Sequence, residues 1–129
     1  MPSYRSCHLI DPAWNGPPAP FLDAIFTWNG LSRTVLALID TGADGTSLPE
    51  DIARQMRFRP VREQWVRGVN GRRTRRRVYV ANLEIDGLRF DAIEITGSTL
   101  DFALIGRNPL NELIANFNGP SLMFSLLRL

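Results

Sequence analysis

The residues best suited to chemistry are Asp40, Thr41 and Gly42, which directly follow the apolar run at residues 35–39. The run is typical of a buried strand, so the carboxylate of Asp40 emerges at the strand end, on a turn where Gly42 lets backbone approach closely. An unpaired charge is costly there, which makes this carboxylate the first candidate for acid–base chemistry. Asp-Thr-Gly alone is also a common strand-end turn, so its meaning depends on the surrounding sequence.

Arginine supplies all of the basic charge in the chain. Each of the 15 basic residues is an arginine, and without the five that lie within residues 72–77 the chain has 10 Arg against 13 Asp and Glu. The net charge of +2 therefore hides one local basic segment. On a strand its members divide between two faces, with Arg73, Arg75 and Arg77 on one and Arg72 and Arg76 on the other.

Cysteine and histidine occur once each, as the neighbours Cys7 and His8. A single cysteine forms no intramolecular disulfide, and one Cys with one His is too few for a zinc site, so we expect no metal and a reducing, cytoplasmic environment. Adjacent residues on an extended chain point apart, which argues against a Cys–His catalytic dyad. We expect a packed cysteine beside a surface histidine.

The length of 129 residues suits one compact domain. The longest apolar run, at residues 35–39, is far too short to span a bilayer, and the first residues lack an apolar signal segment. We therefore expect neither membrane insertion nor Sec-type export. Prolines at residues 12–20 predict an extended N-terminal arm over residues 1–20, followed by a domain over residues 21–129.

Four dipeptides that favour positive φ punctuate the chain: Asn29-Gly30, Asn70-Gly71, Asp86-Gly87 and Asn118-Gly119. Such dipeptides are typical of tight hairpin turns, and the residues beside them alternate between apolar and polar with a period of two. The sequence therefore predicts an all-β, or mainly β, domain built from short antiparallel strands.

Two short helices complete the prediction. Ser47 stands three residues before Glu50, the spacing of a capping box, and residues 51–56 follow as a helix. A second helix is expected to begin with Asn108 as its cap and Pro109 in its first turn, with three apolar residues on one face: Leu110, Leu113 and Ile114.

A short internal repeat relates the two halves of the chain. Residues 37–39 and 103–105 both read Ala-Leu-Ile, and each copy follows a hairpin and precedes a predicted helix. The halves are therefore candidates for pseudo-symmetry. Asp40 follows the first copy, whereas Gly106 follows the second.

Three motifs, in this order, resemble those of the retropepsins, the retroviral-type aspartic proteases, and their bacterial relatives. They are Ala-Leu-Ile-Asp-Thr-Gly-Ala-Asp at residues 37–44, the hairpin tip Gly-Val-Asn-Gly at residues 68–71, and Ala-Leu-Ile-Gly-Arg-Asn at residues 103–108. The resemblance spans about residues 21–127. It implies a retropepsin-like closed β-barrel with one or two short helices, assembled as a homodimer.

The resemblance implies that each subunit supplies one catalytic aspartate, Asp40, because the chain holds no second Asp-Thr-Gly or Asp-Ser-Gly. Two carboxylates at hydrogen-bonding distance cannot both ionise, so the pair would hold one proton and activate a water against a peptide carbonyl, without a metal or cofactor. Thr41 would hydrogen-bond across the two-fold axis, and Gly42 would let the substrate backbone approach.

Further residues take roles from the same resemblance. Asp44 and Arg107 would form a bidentate pair that supports the site, next to Gly106. Substrate would contact Ala43, Asp44 and the tip of a flap hairpin over residues 64–85, at Gly68, Val69 and Asn70. Ala43 lacks the hydroxyl of the serine or threonine found in many relatives, which predicts activity at less acidic pH. Dimerisation would cover the apolar C-terminal strand at residues 120–127, which a monomer would leave as an exposed edge.

Two other functions remain open. A non-catalytic binding or dimerisation module would keep the barrel, and the small number of glycines at the flap tip favours it. A nucleic-acid binder would use the arginines, but single-strand binders interleave aromatic residues and only Tyr79 is near, so we rank it last. In a protease the arginines would form a solvated arm that resists edge-to-edge aggregation, or would select acidic peptides.

Overall fold

The computed structural model describes all 129 residues. Nine strands follow one another along the chain: β1 (Phe21–Trp28), β2 (Leu31–Ile39), β3 (Thr46–Pro49), β4 (Arg62–Arg67), β5 (Arg73–Ile85), β6 (Leu88–Ser98), β7 (Ala103–Ile105), β8 (Ile114–Asn118) and β9 (Met123–Leu127). Two α-helices, α1 (Glu50–Gln55) and α2 (Arg107–Leu110), and one 3₁₀ turn (Cys7–Leu9) complete the structure. The prediction of a mainly β domain with two short helices is confirmed.

Six strands close into a barrel in the order β1-β2-β7-β3-β6-β5, because β5 pairs back with β1. The seventh strand of this sheet, β4, pairs only with β5, so β4 and the first half of β5 form a hairpin arm beyond the barrel. Strands β8 and β9 form a separate two-stranded sheet. The closed barrel expected from the sequence is therefore present.

Each of the four predicted turn dipeptides joins two antiparallel strands. Asn29-Gly30 and Asp86-Gly87 have positive φ at both residues and form two-residue turns. The other two lie in longer loops: only Gly71 is left-handed in the β4–β5 loop, and in the β8–β9 loop it is Leu122 rather than Asn118 or Gly119. The sequence thus located every hairpin but gave the tight turn geometry for only two of them.

The barrel interior is filled by alternate residues of its strands, as the period of two requires. Val35, Ala37 and Ile39 of β2 point into a single apolar core, where they meet side chains from the neighbouring strands that include Ala103, Ile105, Leu48, Ile95 and Tyr79. The intervening residues therefore share the outer face of the barrel.

Both helices differ in detail from the prediction. Ser47 lies in β3 and its Oγ has no hydrogen-bond partner, while Pro49 occupies the N-cap of α1, so the capping box does not form. The second helix starts after Gly106 and ends at Leu110, and Ile114 already belongs to β8. Local spacing misled here because Ser47 pairs with β6 and β7 instead of capping the helix.

The C-terminal strand β9 is not the exposed edge that the sequence predicts. One side of it pairs with β8, and on the other side Tyr4 N–H donates to the carbonyl of Leu122 while Phe124 N–H donates to the carbonyl of Pro2. The free edge of this small sheet is the outer side of β8, where Ile114 is half exposed.

Neither α-helix is long and apolar enough to cross a bilayer. In the N-terminal segment Cys7 is buried and its Sγ donates to the carbonyl of Pro17 at 3.4 Å, whereas His8 is exposed. The predicted packed cysteine beside a surface histidine is confirmed.

Candidate active site

The two Ala-Leu-Ile segments lie side by side in the barrel. Strands β2 and β7 are parallel, and residues 37–39 pair one for one with residues 103–105. The backbone N–H of Asp40 extends this ladder by donating to the carbonyl of Ile105 at 3.0 Å. Asp40 and Gly106 therefore leave the barrel next to each other, at the ends of two matched strands.

The place that a side chain at position 106 would occupy is already filled. A Cβ on Gly106 would overlap the backbone carbonyl of Gly45 in the loop that follows Asp40. This contact explains why the second copy of the repeat ends in glycine. It also means that one chain can present only one carboxylate at this strand pair.

The carboxylate of Asp40 is fixed by its own turn. Its Oδ1 accepts from the N–H of Gly42 at 2.9 Å, and its carbonyl accepts from the N–H of Ala43 at 3.2 Å. A Cβ on Gly42 would lie 3.2 Å from Oδ1, which is tighter than ordinary packing. The second carboxylate oxygen makes no hydrogen bond within the chain, so it is free to meet an external group.

Arg107 binds the loop that carries Asp40. Its guanidinium donates from one nitrogen to Asp44 Oδ1 and from another to the carbonyl of Thr41 at 3.0 Å, while its backbone N–H donates to the carbonyl of Ala43 at 2.9 Å. The predicted Asp44–Arg107 pair is present, but it is not bidentate, because the guanidinium divides between a carboxylate and a carbonyl. The Asp44 side chain is 95% exposed, so the bonds to the loop backbone matter more than the ion pair.

A buried hydroxyl that the sequence analysis missed lies beneath this loop. Thr46 Oγ1 accepts from the N–H of Gly106 at 3.2 Å and donates to Asn108 Oδ1 at 2.8 Å, and Asn108 Nδ2 donates to the carbonyl of Glu94 at 3.0 Å. Thr46 is the one buried polar residue of the chain. It joins the start of β3 to α2, and a threonine after a glycine gives no local signal of this role.

The strand register defines the face of the sheet that carries Asp40. Partners in a sheet share a face, and one row of partners crosses five barrel strands: Leu38, Leu104, Ser47, Thr96 and Val78. Asp40 lies two residues beyond Leu38 and therefore has the same orientation. Its carboxylate stands over the outer face of the barrel, next to an apolar floor that begins with Leu38 and Leu104.

This row also assigns the two faces of the β4–β5 hairpin. Arg76 lies two residues before Val78 on β5 and pairs with Gln64 on β4, so both side chains belong to the face of Asp40. Gln64 Nε2 also donates to Thr96 Oγ1 at 3.1 Å. Trp65 and Arg75 are paired on the opposite face. The predicted division is confirmed for the arginines of β5, where Arg73, Arg75 and Arg77 share one face and Arg76 lies on the other, whereas Arg72 precedes the strand.

The hairpin tip is separate from Asp40 in the single chain. Gly68, Val69 and Asn70 are all exposed, and their hydrogen bonds stay within the turn: Gly68 N–H donates to the carbonyl of Arg72, and Asn70 Oδ1 accepts from the N–H of Arg72 at 3.0 Å. The structure thus brings Asp40, Thr41, Gly42, Ala43, Asp44, Gly106 and Arg107 together and leaves the three tip residues apart.

The base of the hairpin is tied to α1 by a second group of residues that sequence reasoning missed. Tyr79 Oη donates to Glu50 Oε1, and the Arg77 guanidinium lies 3.9 Å from the same oxygen. A Cβ on Gly97 would overlap this carboxylate, so glycine makes room for it. Burial, reinforced by the hydrogen bond and negative charge of Glu50, raises the pKa of Tyr79 to about 12, against the lowering effect of Arg77.

No three His, Cys, Asp or Glu side chains are grouped in this chain as metal ligands. The chemistry that the site offers within one chain is that of a single fixed carboxylate with one free oxygen, beside an apolar floor and an exposed threonine.

A sequence model of the aspartyl protease family matches residues 24–108, which run from within β1 through β7 and the Asp40 loop to the start of α2. The chain belongs to this family. No curated protein matches it significantly.

Solved structures with the same fold include a bacterial and two viral proteases. The retropepsin-like aspartic protease from Rickettsia conorii is similar with a TM-score of 0.64 at 18% identity, over 96% of this chain and 86% of that one. Simian foamy virus (mac) protease gives 0.52 at 23%, over 70% and 91%. EIAV protease, solved with the inhibitor HBY-793, gives 0.56 at 17%, over 77% and 91%. The fold is therefore that of the retropepsin-like aspartic proteases.

Proposed function

We propose that the protein is an aspartic endopeptidase that works as a symmetric homodimer, with Asp40 of each chain forming the catalytic pair. The observation that carries this proposal is the Asp40 turn, in which one carboxylate oxygen is fixed by Gly42 and the other has no partner within the chain. A second Asp40 related by a two-fold axis would supply that partner.

The proposed reaction needs only the two carboxylates and water. One Asp40 is ionised and takes a proton from the water, whose oxygen bonds to the peptide carbonyl carbon. The protonated Asp40 of the other chain gives its proton to the carbonyl oxygen. The diol then collapses: the C–N bond breaks, the first carboxyl gives its proton to the leaving nitrogen, and one hydroxyl of the diol returns a proton to the second carboxylate, which restores the starting pair. No covalent enzyme intermediate is formed.

The requirement for a second chain is supported by the repeat within this one. Gly106 occupies the position that matches Asp40, and the Gly45 carbonyl fills the space beside it. A monomer therefore lacks the second carboxylate. The hydroxyl of Thr41 is exposed and makes no hydrogen bond within the chain, which leaves it available to the partner loop.

We place the subunit contact on the β8–β9 sheet. The outer edge of β8 has unpaired backbone groups, and the register partners Ile114 and Leu127 expose about half of their surface on one face. Pairing with a second copy would satisfy this edge and cover these side chains. This differs from our expectation for β9, whose two sides are already occupied.

We assign the β4–β5 hairpin as the flap over the substrate. Its inner face would be the one that continues from Asp40 and includes Gln64, Val66 and Arg76, all of them partly covered already. The exposed tip at Gly68, Val69 and Asn70 would close on the peptide backbone, with Ala43 and Asp44 on the opposite wall. An apolar peptide side chain would fit the floor formed by Leu38 and Leu104.

The test combines activity with assembly. Purified protein is incubated with a peptide library from acidic to neutral pH, and the rate per chain is followed as protein concentration increases, with Asp40→Asn as the control. We expect internal cleavage whose rate per chain rises with concentration until the dimer saturates, and a loss of at least about 10³-fold in Asp40→Asn.

Mixed dimers sharpen this test. Excess Asp40→Asn chain added to the wild type should suppress cleavage, because each mixed pair carries a single aspartate. Cleavage that survives in Asp40→Asn, or that is insensitive to added mutant chain, would exclude the proposed pair. A folded dimer that cleaves nothing would favour the non-catalytic module, for which the two glycines at the tip, Gly68 and Gly71, remain the supporting feature.

A further inference from the structure

The face of the β4–β5 hairpin that points away from Asp40 has a composition that proteolysis does not use. It presents Trp65, Arg67, Arg73 and Arg75, all of them exposed, and we name this group the arginine–tryptophan face. The opposite side of the same hairpin is partly covered and shares its orientation with Asp40. A substrate held against Asp40 therefore does not reach the arginine–tryptophan face.

Trp65 is held in place by its neighbours yet remains open to solvent. The guanidinium carbons of Arg73 and Arg75 lie 5.9 and 5.8 Å from the centre of its ring. These cation–π contacts orient the indole, but the residue is still 58% exposed. A large aromatic side chain held in this way is available to stack against a ligand, unlike a ring that is buried in a core.

Positive charge is concentrated around this ring. Residues 62–77 contain seven arginines and one glutamate, while the rest of the chain has eight arginines against twelve acidic residues. Glu63, on the same face, pairs with Arg75 at 3.2 Å, and Arg77 lies near Glu50 at the base. Arg67 and Arg73 have no acidic partner, so at least two guanidinium groups are free to bind an anion.

We infer that the arginine–tryptophan face binds single-stranded nucleic acid, with phosphates on Arg67 and Arg73 and an unpaired base stacked on Trp65. Fixed guanidinium groups suit phosphate oxygens, and an exposed aromatic ring between arginines is the feature that single-strand binders combine with a basic surface. From the sequence alone, this function ranks last because Tyr79 is the only aromatic residue near the arginines of residues 72–77 along the chain. Tyr79 is buried and cannot stack on a base, whereas Trp65, the cross-strand partner of Arg75, is exposed and can.

An acidic peptide is the competing occupant, but it would use only part of the surface. Carboxylates would pair with the arginines and leave the open indole without a role. A nucleic acid supplies the anion and the flat ring together. The site is sequence-tolerant by this chemistry, and ribose and deoxyribose strands are both candidates.

The test measures binding of labelled oligothymidylate and oligouridylate to the full-length protein by fluorescence anisotropy over a range of salt concentrations. The matched pair of variants is Arg73→Gln and Arg76→Gln, which remove one charge each from opposite faces of one hairpin. We expect Arg73→Gln to weaken binding several-fold and to reduce the slope of log affinity against log salt by about 0.7, whereas Arg76→Gln leaves the slope unchanged.

A second variant tests the stacking. Trp65→Ala should weaken binding at least about fivefold with an unchanged salt slope, and the quenching of tryptophan fluorescence that either oligonucleotide causes in the wild type should be lost in this variant, which keeps Trp14 and Trp28. The inference fails if neither strand binds, if Arg76→Gln weakens binding as much as Arg73→Gln, if Trp65→Ala has no effect, or if a polyglutamate peptide binds as tightly. Asp40→Asn should bind normally, which keeps this result independent of proteolysis.

Discussion

Asp40 and Gly106 stand side by side at the ends of two parallel strands in register, and only the first of them has room for a side chain. The carbonyl of Gly45 occupies the space beside Gly106. The loop that positions the carboxylate of Asp40 therefore also prevents its counterpart from carrying one. The two copies of the repeat therefore differ just beyond the residues at which they pair, because only the first copy is followed by a carboxylate.

Gly106→Ala should destabilise the protein strongly. The new methyl group would overlap a backbone carbonyl, which cannot rotate away as a side chain could, so we expect a loss at the upper end of the ~1–3 kcal/mol typical of overpacking. Urea unfolding measures it, and Gly119→Ala is the control because its Cβ would meet nothing within 4 Å. Equal stability of the two variants would contradict the overlap.

Thr46→Val tests the buried hydroxyl beneath the Asp40 loop. The substitution keeps the shape of the side chain but leaves the Gly106 N–H and Asn108 Oδ1 without a partner, so we expect a loss of about 1–3 kcal/mol in the free energy of unfolding. Thr99→Val serves as the control, since Thr99 is exposed and its hydroxyl makes no hydrogen bond. A loss in both variants alike would show that the hydrogen bonds of Thr46 contribute little.

Arg107→Ala and Asp44→Asn should separate the two functions of the arginine. Asp44→Asn removes an exposed ion pair and should change stability by no more than about 0.5 kcal/mol. Arg107→Ala also releases the carbonyl of Thr41, so the Asp40 loop loosens and kcat/KM should fall about 10- to 100-fold more than in Asp44→Asn. A similar kcat/KM in both variants would assign the support to the ion pair instead.

Tyr79→Phe should change how stability depends on pH. A folded-state pKa of about 12 exceeds the value of about 10 in an unfolded chain, so the unfolded chain loses this proton first. The stabilisation is complete below about pH 10 and is lost as the pH rises towards 12. Tyr79→Phe should cost about 1–3 kcal/mol at neutral pH, because Glu50 loses its nearest donor, and the gap to wild type should narrow above about pH 10.

Tyr4→Phe is the control for this measurement. The ring of Tyr4 packs against Phe124 with centroids 6.0 Å apart, and its hydroxyl makes no hydrogen bond. We expect it to unfold like the wild type at each pH. A constant gap between Tyr79→Phe and the wild type from pH 8 to about pH 12 would show that the Tyr79 proton is not linked to folding.

Ala43→Ser should move the pH–rate profile of cleavage to lower pH. Ala43 closes the Asp40 turn, since its N–H donates to the Asp40 carbonyl, and a serine hydroxyl there would donate to a carboxylate of the pair, which favours the ionised form. The wild type should therefore remain active at less acidic pH than the variant. No shift, or a shift towards higher pH, would contradict a hydrogen bond between residue 43 and the catalytic pair.

The sequence predicted those parts of the fold that depend on neighbouring residues. Alternation divided the arginines between two hairpin faces, and the turn dipeptides located four hairpins. The Ala-Leu-Ile repeat indicated related halves, although only the structure shows that the two copies pair directly. Asp40, Gly42 and Arg107 share one loop system as their motifs suggested, while their catalytic roles stay a prediction.

What the sequence missed depends on residues that are far apart in the chain. The spacing of Ser47 and Glu50 predicts a capping box, but Glu50 accepts a hydrogen bond from Tyr79, 29 residues later. Thr46 connects to Asn108 across 62 residues. Trp65 gained its importance from Arg73 and Arg75 on the paired strand. Spacing rules describe one helix or one strand, and each of these contacts joins two elements.

The bond between Tyr79 and Glu50 determines where the hairpin can bend. Because Arg77 and Tyr79 are tethered to α1, a swinging motion must pivot just beyond them, not at the rim of the barrel. From Arg77 to Gly71 the arm is six residues long, or about 20 Å. A short lever of this kind moves its tip through a limited arc while its pivot stays still. The two faces of the arm would therefore move as one body. A ligand bound to the arginine–tryptophan face would restrain the closure of the opposite face over the substrate.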